Sequence, residues 1–182
     1  TKLIRPDFSG TGDNGDVITV DINSNTYTAT VDNSGKWSVN VADALAQGTH
    51  DYTVTAKDTA GNLSTTSGSI TVDTTVPVIV DNGLSDASDR GTSISDNITN
   101  VFMPTIEGEG EKGDVVTVLI NGLSYKSTVG SDSKWAVNVT SALADGTYLY
   151  TATAEDIAGN TSVKNGEITI DTRISLTGGL DV

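Results

Sequence analysis

The sequence predicts an all-β protein: two tandem antiparallel β-sandwich domains arranged end to end. Three observations carry this. Short runs alternate apolar and polar residues, and turn residues separate the runs. The second half also repeats the first: Pro6 and Pro104, Asp16 and Asp114, Trp37 and Trp135, Asp58 and Asp156, and Asp73 and Asp171 each lie 98 positions apart, with no gap between them. That period is too long for a solenoid repeat and suits a whole domain.

The elements follow in order. Ile18, Val20 and Ile22 share one face of a strand, as do Tyr27, Ala29 and Val31, then Trp37, Val39 and Val41. Tyr52, Val54 and Ala56 continue the alternation, and Ile70 and Val72 close the first copy. The second copy repeats it with Val116, Val118 and Ile120, then Trp135, Val137 and Val139, then Tyr150, Ala152 and Ala154, then Ile168 and Ile170. "DNSGK", "VGSDSK", "NGLS", "TAGN" and "IAGN" read as turns. "ADALAQG" and "TSALADG" are the helix-like pieces, one turn each. Six or more short strands with turns between them indicate a sandwich. The second copy has more chain ahead of it: "VPVIVDNGL" reads as a first strand and "SDASDRGTSISDNITN" as an acidic loop. The expected boundaries are residues 1–75 for a first domain without that strand, 76–173 for the second, and 174–182 for the start of a following repeat.

Composition narrows the function. The formal charge is −14, which disfavours nucleic acid as a partner, since phosphate binding needs a basic surface. No apolar run approaches a membrane span, and no membrane insertion is expected. Cysteine is absent, which removes disulfides and thiolate chemistry. An enzyme is not expected. The one histidine, His50, stands where the second copy has Tyr148, so packing explains it better than catalysis. "GEGEKG" carries two carboxylates that would repel phosphate. Trp37 and Trp135 read as core plugs rather than sugar platforms.

"YTVTAKDTAGNLSTTSGSITVDTTVP", "SDASDRGTSISDNITN" and "GKWSVNV" together resemble bacterial immunoglobulin-like repeats. Such repeats occur in giant adhesins exported by type I secretion, often with repeats-in-toxin segments. The resemblance implies immunoglobulin-like sandwiches in a long extender rod. The rod would be secreted to the bacterial cell surface, would act in adhesion or biofilm formation, and would be stiffened by calcium at domain junctions. Its expected partners are neighbouring repeats of the same chain. A distal host or surface ligand would not be bound by this segment, and the segment would be monomeric. The competing expectation is an immunoglobulin-like module that itself binds a host glycan or protein.

Calcium takes six to eight oxygen ligands from Asp, Glu, Asn and backbone carbonyls. Zinc is disfavoured, because its Cys and His ligands are almost absent. Loops of a sandwich alternate between its two poles. This alternation sends Asp73 toward Glu109, Glu111, Asp132 and Asp156, the set expected to hold Ca2+ between the domains. Asp13 and Asp58 would form the equivalent, incomplete N-terminal site. A second loop set comprises Asp86, Asp89, Asp96, Asn97 and Asp171. The plain alternative is that these residues only form turns. One further expectation concerns the ends. The tail 174–182 looks like a first strand and could fill the first domain of another molecule, unless residues 1–5 cover that gap locally.

Overall fold

The structure is a computed structural model and describes residues 1–174. The chain divides into two compact units, Thr1–Thr75 and a second from Val76. The first holds β1 (Asp7–Thr11), β2 (Val17–Ile22), β3 (Asn25–Thr30), β4 (Lys36–Asn40), β5 (Gly48–Lys57) and β6 (Leu63–Val72). The second holds β7 (Ile79–Leu84), β8 (Ile98–Thr99), β9 (Thr105–Gly110), β10 (Val115–Ile120), β11 (Leu123–Thr128), β12 (Lys134–Asn138), β13 (Gly146–Glu155) and β14 (Thr161–Ile170).

Each unit is a two-layer sandwich. In the second, a three-stranded sheet ordered β12-β9-β7 faces a five-stranded sheet ordered β11-β10-β13-β14-β8. In the first, a two-stranded β1-β4 sheet faces a four-stranded β3-β2-β5-β6 sheet. Strands pair antiparallel throughout, except that β14 runs parallel to β8. Alternation in the sequence becomes alternation in burial, since successive side chains of a strand point to opposite faces. Val116, Val118 and Ile120 are buried, while Val115 and Leu119 are exposed. Neither "ADALAQG" nor "TSALADG" forms a helical turn. Each is instead an irregular crossing that buries one leucine, Leu45 or Leu143, whose amide bonds the carbonyl of Ile4 or Phe102. The short β8 lies inside the stretch that reads as a loop.

The second unit has two strands without a counterpart among the described residues of the first, β7 and the two-residue β8. β7 pairs with β9, with a bulge between Asp81 and Gly83, and buries Ile79 and Leu84. Gly108 of β9 has no side chain where the Val80 carbonyl and the Trp135 ring press close. At the bulge Gly83 has φ 80°, a conformation that suits glycine. The Asn97 carboxamide fills the space beside it and accepts from the Leu84 amide at 2.8 Å. The Tyr150 hydroxyl reaches across to donate to the Asp81 carboxylate at 2.8 Å.

The first unit has no counterpart of β7 among the described residues. Residues 1–5 do not supply it. The Thr1 carbonyl accepts from Asp73 N and the Ile4 carbonyl from Leu45 N, as the Thr99 and Phe102 carbonyls do from Asp171 N and Leu143 N. These residues therefore follow the path of residues 99–103 and not that of β7. The core registers this. The second unit has one continuous cluster from Ile79 to Ile170. The first has two, one around Ile18, Val20, Val31 and Val39, the other around Ile22, Val41, Leu45 and Val72. Trp135 and Tyr150 are buried, whereas Trp37 and Tyr52 are only half-buried. Of the expected following repeat, Ile174 is described and exposed; 175–182 lie outside the described residues.

Trp135→Ala is therefore expected to destabilise its unit by about 3–5 kcal/mol, the usual cost of emptying a large core site. Trp37→Ala is expected to cost clearly less, because part of its surface is already in water. Denaturant unfolding of the two variants checks the difference.

Candidate metal centre

The turn that opens on Asp156 shows how the sequence builds these loops. Gly159 N bonds the Asp156 carbonyl, which closes the turn at the end of β13. The Asp156 carboxylate folds back onto it and accepts from Asn160 N and Asn160 Nδ2, both at 2.8 Å. Asp58 repeats the arrangement with Asn62 N at 2.8 Å and Nδ2 at 2.6 Å. Both carboxyls lie below the usual carboxylate range, chiefly because of the side-chain bond from that asparagine. The paired turns thus hold their own carboxylates first. A carboxylate has about four acceptor positions, so each retains capacity to face outward.

The strand register gathers several of the expected ligands at one pole of the second unit. Ile79 stands opposite Gly110, Val115 opposite both Thr128 and Glu155, and Lys134 opposite Glu109. Glu109, Glu111, Asp132 and Asp156 all belong to these strand ends and turns. Glu111 accepts from the Val78 amide at 3.0 Å. Asp132 accepts from Lys134 N at 3.3 Å, and Glu109 is exposed. Asp73 belongs to the first unit, where it accepts from Gln47 Nε2 at 2.9 Å and Thr75 N at 3.0 Å. Asp13 is exposed and its carbonyl accepts from Asp16 N.

The residue that sequence reasoning missed is Asp114. It is 6% exposed, and its Oδ2 is buried with no hydrogen-bond partner. Its pKa is raised, first by desolvation and then by the charges of Glu111 and Asp156. In the sequence it looks like an ordinary turn aspartate before a strand. The signal available was its place two residues before Val116, since residues two apart along a strand share a face and Val116 faces inward.

At the opposite pole, Asp96 and Asp171 line a cleft of about 300 Å3 with Arg90, Gly91, Thr92, Ile98, Thr99 and Asn100. Asp89 is 1% exposed; its Oδ2 accepts from Asn97 N at 3.2 Å, while its Oδ1 is buried without a partner. Asp86 is exposed. The Asn97 carboxamide oxygen is committed to Leu84 N, so Asn97 stitches the loop to β7. Among the described residues no group of three or more acidic side chains is preassembled as a metal site. The two orphaned oxygens, on Asp114 and Asp89, are what fit a hard cation: each is a buried acceptor lacking a donor.

Two tryptophan and histidine questions are also answered. Trp135 Nε1 donates to the Glu109 carbonyl from within the core. The His50 ring bonds the Ala46 carbonyl at 2.8 Å and Asn23 Oδ1 at 3.0 Å. Tyr148 OH donates to the Ala144 carbonyl at 3.0 Å, in the same place in the second unit, so His50 is a structural tether.

The family profile of the bacterial Ig-like domain matches residues 1–74 and again residues 75–172. The chain belongs to the bacterial Ig-like domain family. Two curated relatives match this tandem Ig-like chain, each at 28% identity over 134 residues: exoglucanase A of Cellulomonas fimi and chitinase A1 of Niallia circulans. The match covers 72% and 73% of this chain, but only 15% and 19% of those proteins. A solved structure of a Ca2+-stabilized adhesin from an Antarctic bacterium that binds ice is 34% identical. It matches over 93% of this chain and 44% of its own, with a TM-score of 0.42.

Asp114 makes the second Ig-like unit sensitive to acid in a specific direction. A raised folded-state pKa means that protonation favours the folded form. In chelator, the second unit is therefore expected to gain stability as pH falls from neutral through the raised Asp114 pKa. Asp156 acts oppositely: its lowered pKa marks stability that is lost only as pH falls further, through that lowered value. Asp114→Asn is expected to raise stability at neutral pH by roughly 1 kcal/mol and to remove the acid gain. Melting curves across pH check both.

Proposed function

We propose that this chain is a non-enzymatic extender segment of a bacterial surface adhesin. It is a calcium-stiffened rod that carries a distal binding region away from the cell, in adhesion or biofilm formation. Its place is secreted, at the bacterial cell surface, after type I export. The observation that carries the reading is Asp114: a buried, unpartnered carboxylate oxygen under repulsion from Glu111 and Asp156, in a repeated Ig-like unit. A cation there offsets the repulsion and supplies the missing partner. Glu111, Asp114 and Asp156 would hold it, and the sequence adds Asp73 as the ligand from the preceding repeat. Glu109 and Asp132 supply further charge at that pole. Asp89, Asp96 and Asp171 would hold a second ion, with Asp86 at the loop's exposed end. Asp13 and Asp58 are the corresponding acids of the first unit.

The mechanism is mechanical. An ion that binds one arrangement of neighbouring repeats stabilises that arrangement by mass action. The connection is short, and Pro77 restricts its backbone.

Calcium at a hundred times its dissociation constant is expected to stabilise the chain by about 2.7 kcal/mol, read as a raised melting temperature against chelator. Asp114→Asn should remove the part of that response that comes from the first ion, and Asp73→Asn should weaken that part. Asp32→Ala should leave it intact, since the Asp32 carboxylate accepts from Ser34 and Lys36 within its own turn. A melting curve indifferent to calcium would overturn the proposal. Small-angle scattering with and without calcium tests the rod itself.

A further inference from the structure

We propose that Asn121 is a self-modification site: its side chain cyclises with the Gly122 amide and hydrolysis then leaves an aspartate or isoaspartate in the β10-β11 hairpin. This is independent of calcium and of the extender reading. The Gly122 nitrogen gives its proton to hydroxide and attacks Cγ of Asn121. The new N–Cγ bond closes a succinimide ring, the Cγ–Nδ2 bond breaks, and ammonia leaves. Water then opens the ring at either carbonyl. The reaction needs a following residue with no side chain to crowd the ring, an amide nitrogen not already donating, and a carboxamide free to turn.

The chain has four Asn-Gly pairs, and three of them are held. Gly15 N, after Asn14, donates to the Val31 carbonyl at 3.0 Å. Gly83 N, after Asn82, donates to Asp81 Oδ1 at 3.1 Å, and Gly83 is buried. Asn165 accepts from Thr151 Oγ1 at 3.2 Å, and Gly166 stands within β14 opposite Tyr150. Asn121 and Gly122 are placed differently. They form the whole turn between Ile120 and Leu123, which pair with each other, and both are exposed. Their φ values of 49° and 76° are those of a type I′ hairpin turn. Among the described residues no hydrogen bond holds the Gly122 amide or the Asn121 carboxamide. The space beside Gly122 is open: a Cβ there would meet nothing within 4 Å.

The first unit builds the same turn with two guards. Asn23 and Ser24, at φ 50° and 63°, join Ile22 to Asn25. Serine puts a side chain next to the reacting nitrogen. The His50 ring bonds Asn23 Oδ1 at 3.0 Å and holds the carboxamide in place. Tyr148, which stands where His50 does, sends its hydroxyl to the Ala144 carbonyl and leaves Asn121 alone.

The two products act differently on the fold. An aspartate keeps the turn, because Asp-Gly also favours type I′. An isoaspartate carries the main chain through the former side chain, which adds a methylene to a turn that only just spans the two strands. β11 is an edge strand that pairs with β10 alone, so Leu123–Thr128 loosens first.

The test ages the full chain in mildly alkaline buffer, both native and in urea. Its peptides are then mapped by mass spectrometry, with isoaspartate methyltransferase labelling. In the native chain Asn121 is expected to convert at least about tenfold faster than Asn14, Asn82, Asn165 or Asn23. In urea the four Asn-Gly pairs should convert alike, because the fold no longer separates them. Gly122→Ser should slow conversion of Asn121 about tenfold. The first unit carries serine at that place, so the turn accepts the change. Amide exchange in the isoaspartate fraction should quicken in β11 and its turn. Native conversion of Asn14, Asn82 or Asn165 as fast as that of Asn121 would overturn the proposal. So would the same ranking in urea, an unchanged rate in Gly122→Ser, or an Asn121 that stays intact in the native chain while the unfolded chain converts.

Discussion

A β-sandwich holds together only where each sheet covers the apolar face of the other, and in this protein β7 completes that cover. Beside β9 it lays Ile79 and Leu84 over the core and gives Tyr150 a buried partner in Asp81. With it, Trp135, Ala152, Ala154 and Tyr150 fall out of contact with water. The matching Trp37, Val54, Ala56 and Tyr52 in the first unit stay partly wet. The sequences of the two copies barely differ at these positions. Burial is set by what lies over a residue as much as by the residue, and the hydrophobic contribution of the same side chains differs accordingly.

The acidic pole obeys the opposite logic. Burying a charge without a partner costs stability, and Asp114 sits inside with like charges near it. Turn formation explains Asp156, Asp58 and Asp32, whose carboxylates are occupied by their own loops. It does not explain Asp114, whose orphaned oxygen does nothing for its turn. In the proposed reading a bound cation is the partner that this oxygen lacks.

Much of this was legible. The offset between the copies carried strand order, register and the tryptophan plugs from one unit to the other. Alternation marked the inner faces, as at Val116, Val118 and Ile120. What was hidden depended on pairs distant in sequence. β8 is two residues long and exists because Thr169 and Ile170 of β14 offer it an edge. "TSALADG" looked helical by composition, but Leu143 is drawn inward by a backbone bond to Phe102. Asp114 could not be told from Asp132 without knowing which strand ends turn in, and the bonds from Asn160 to Asp156 became visible only once the turn had closed.

β7 and β14 also run in the same direction within the second unit: β7 is antiparallel to β9 and β14 to β13, and β9 and β13 both end at the pole of Glu111 and Asp156. The chain enters at the start of β7, at one pole, and leaves at the end of β14, at the other. A pull on the two ends drags β7 backward and β14 forward along their lengths. Such a load shears many backbone bonds and buried contacts at once instead of peeling them one by one. The order of strands thus gives the second unit resistance to tension that no single contact supplies.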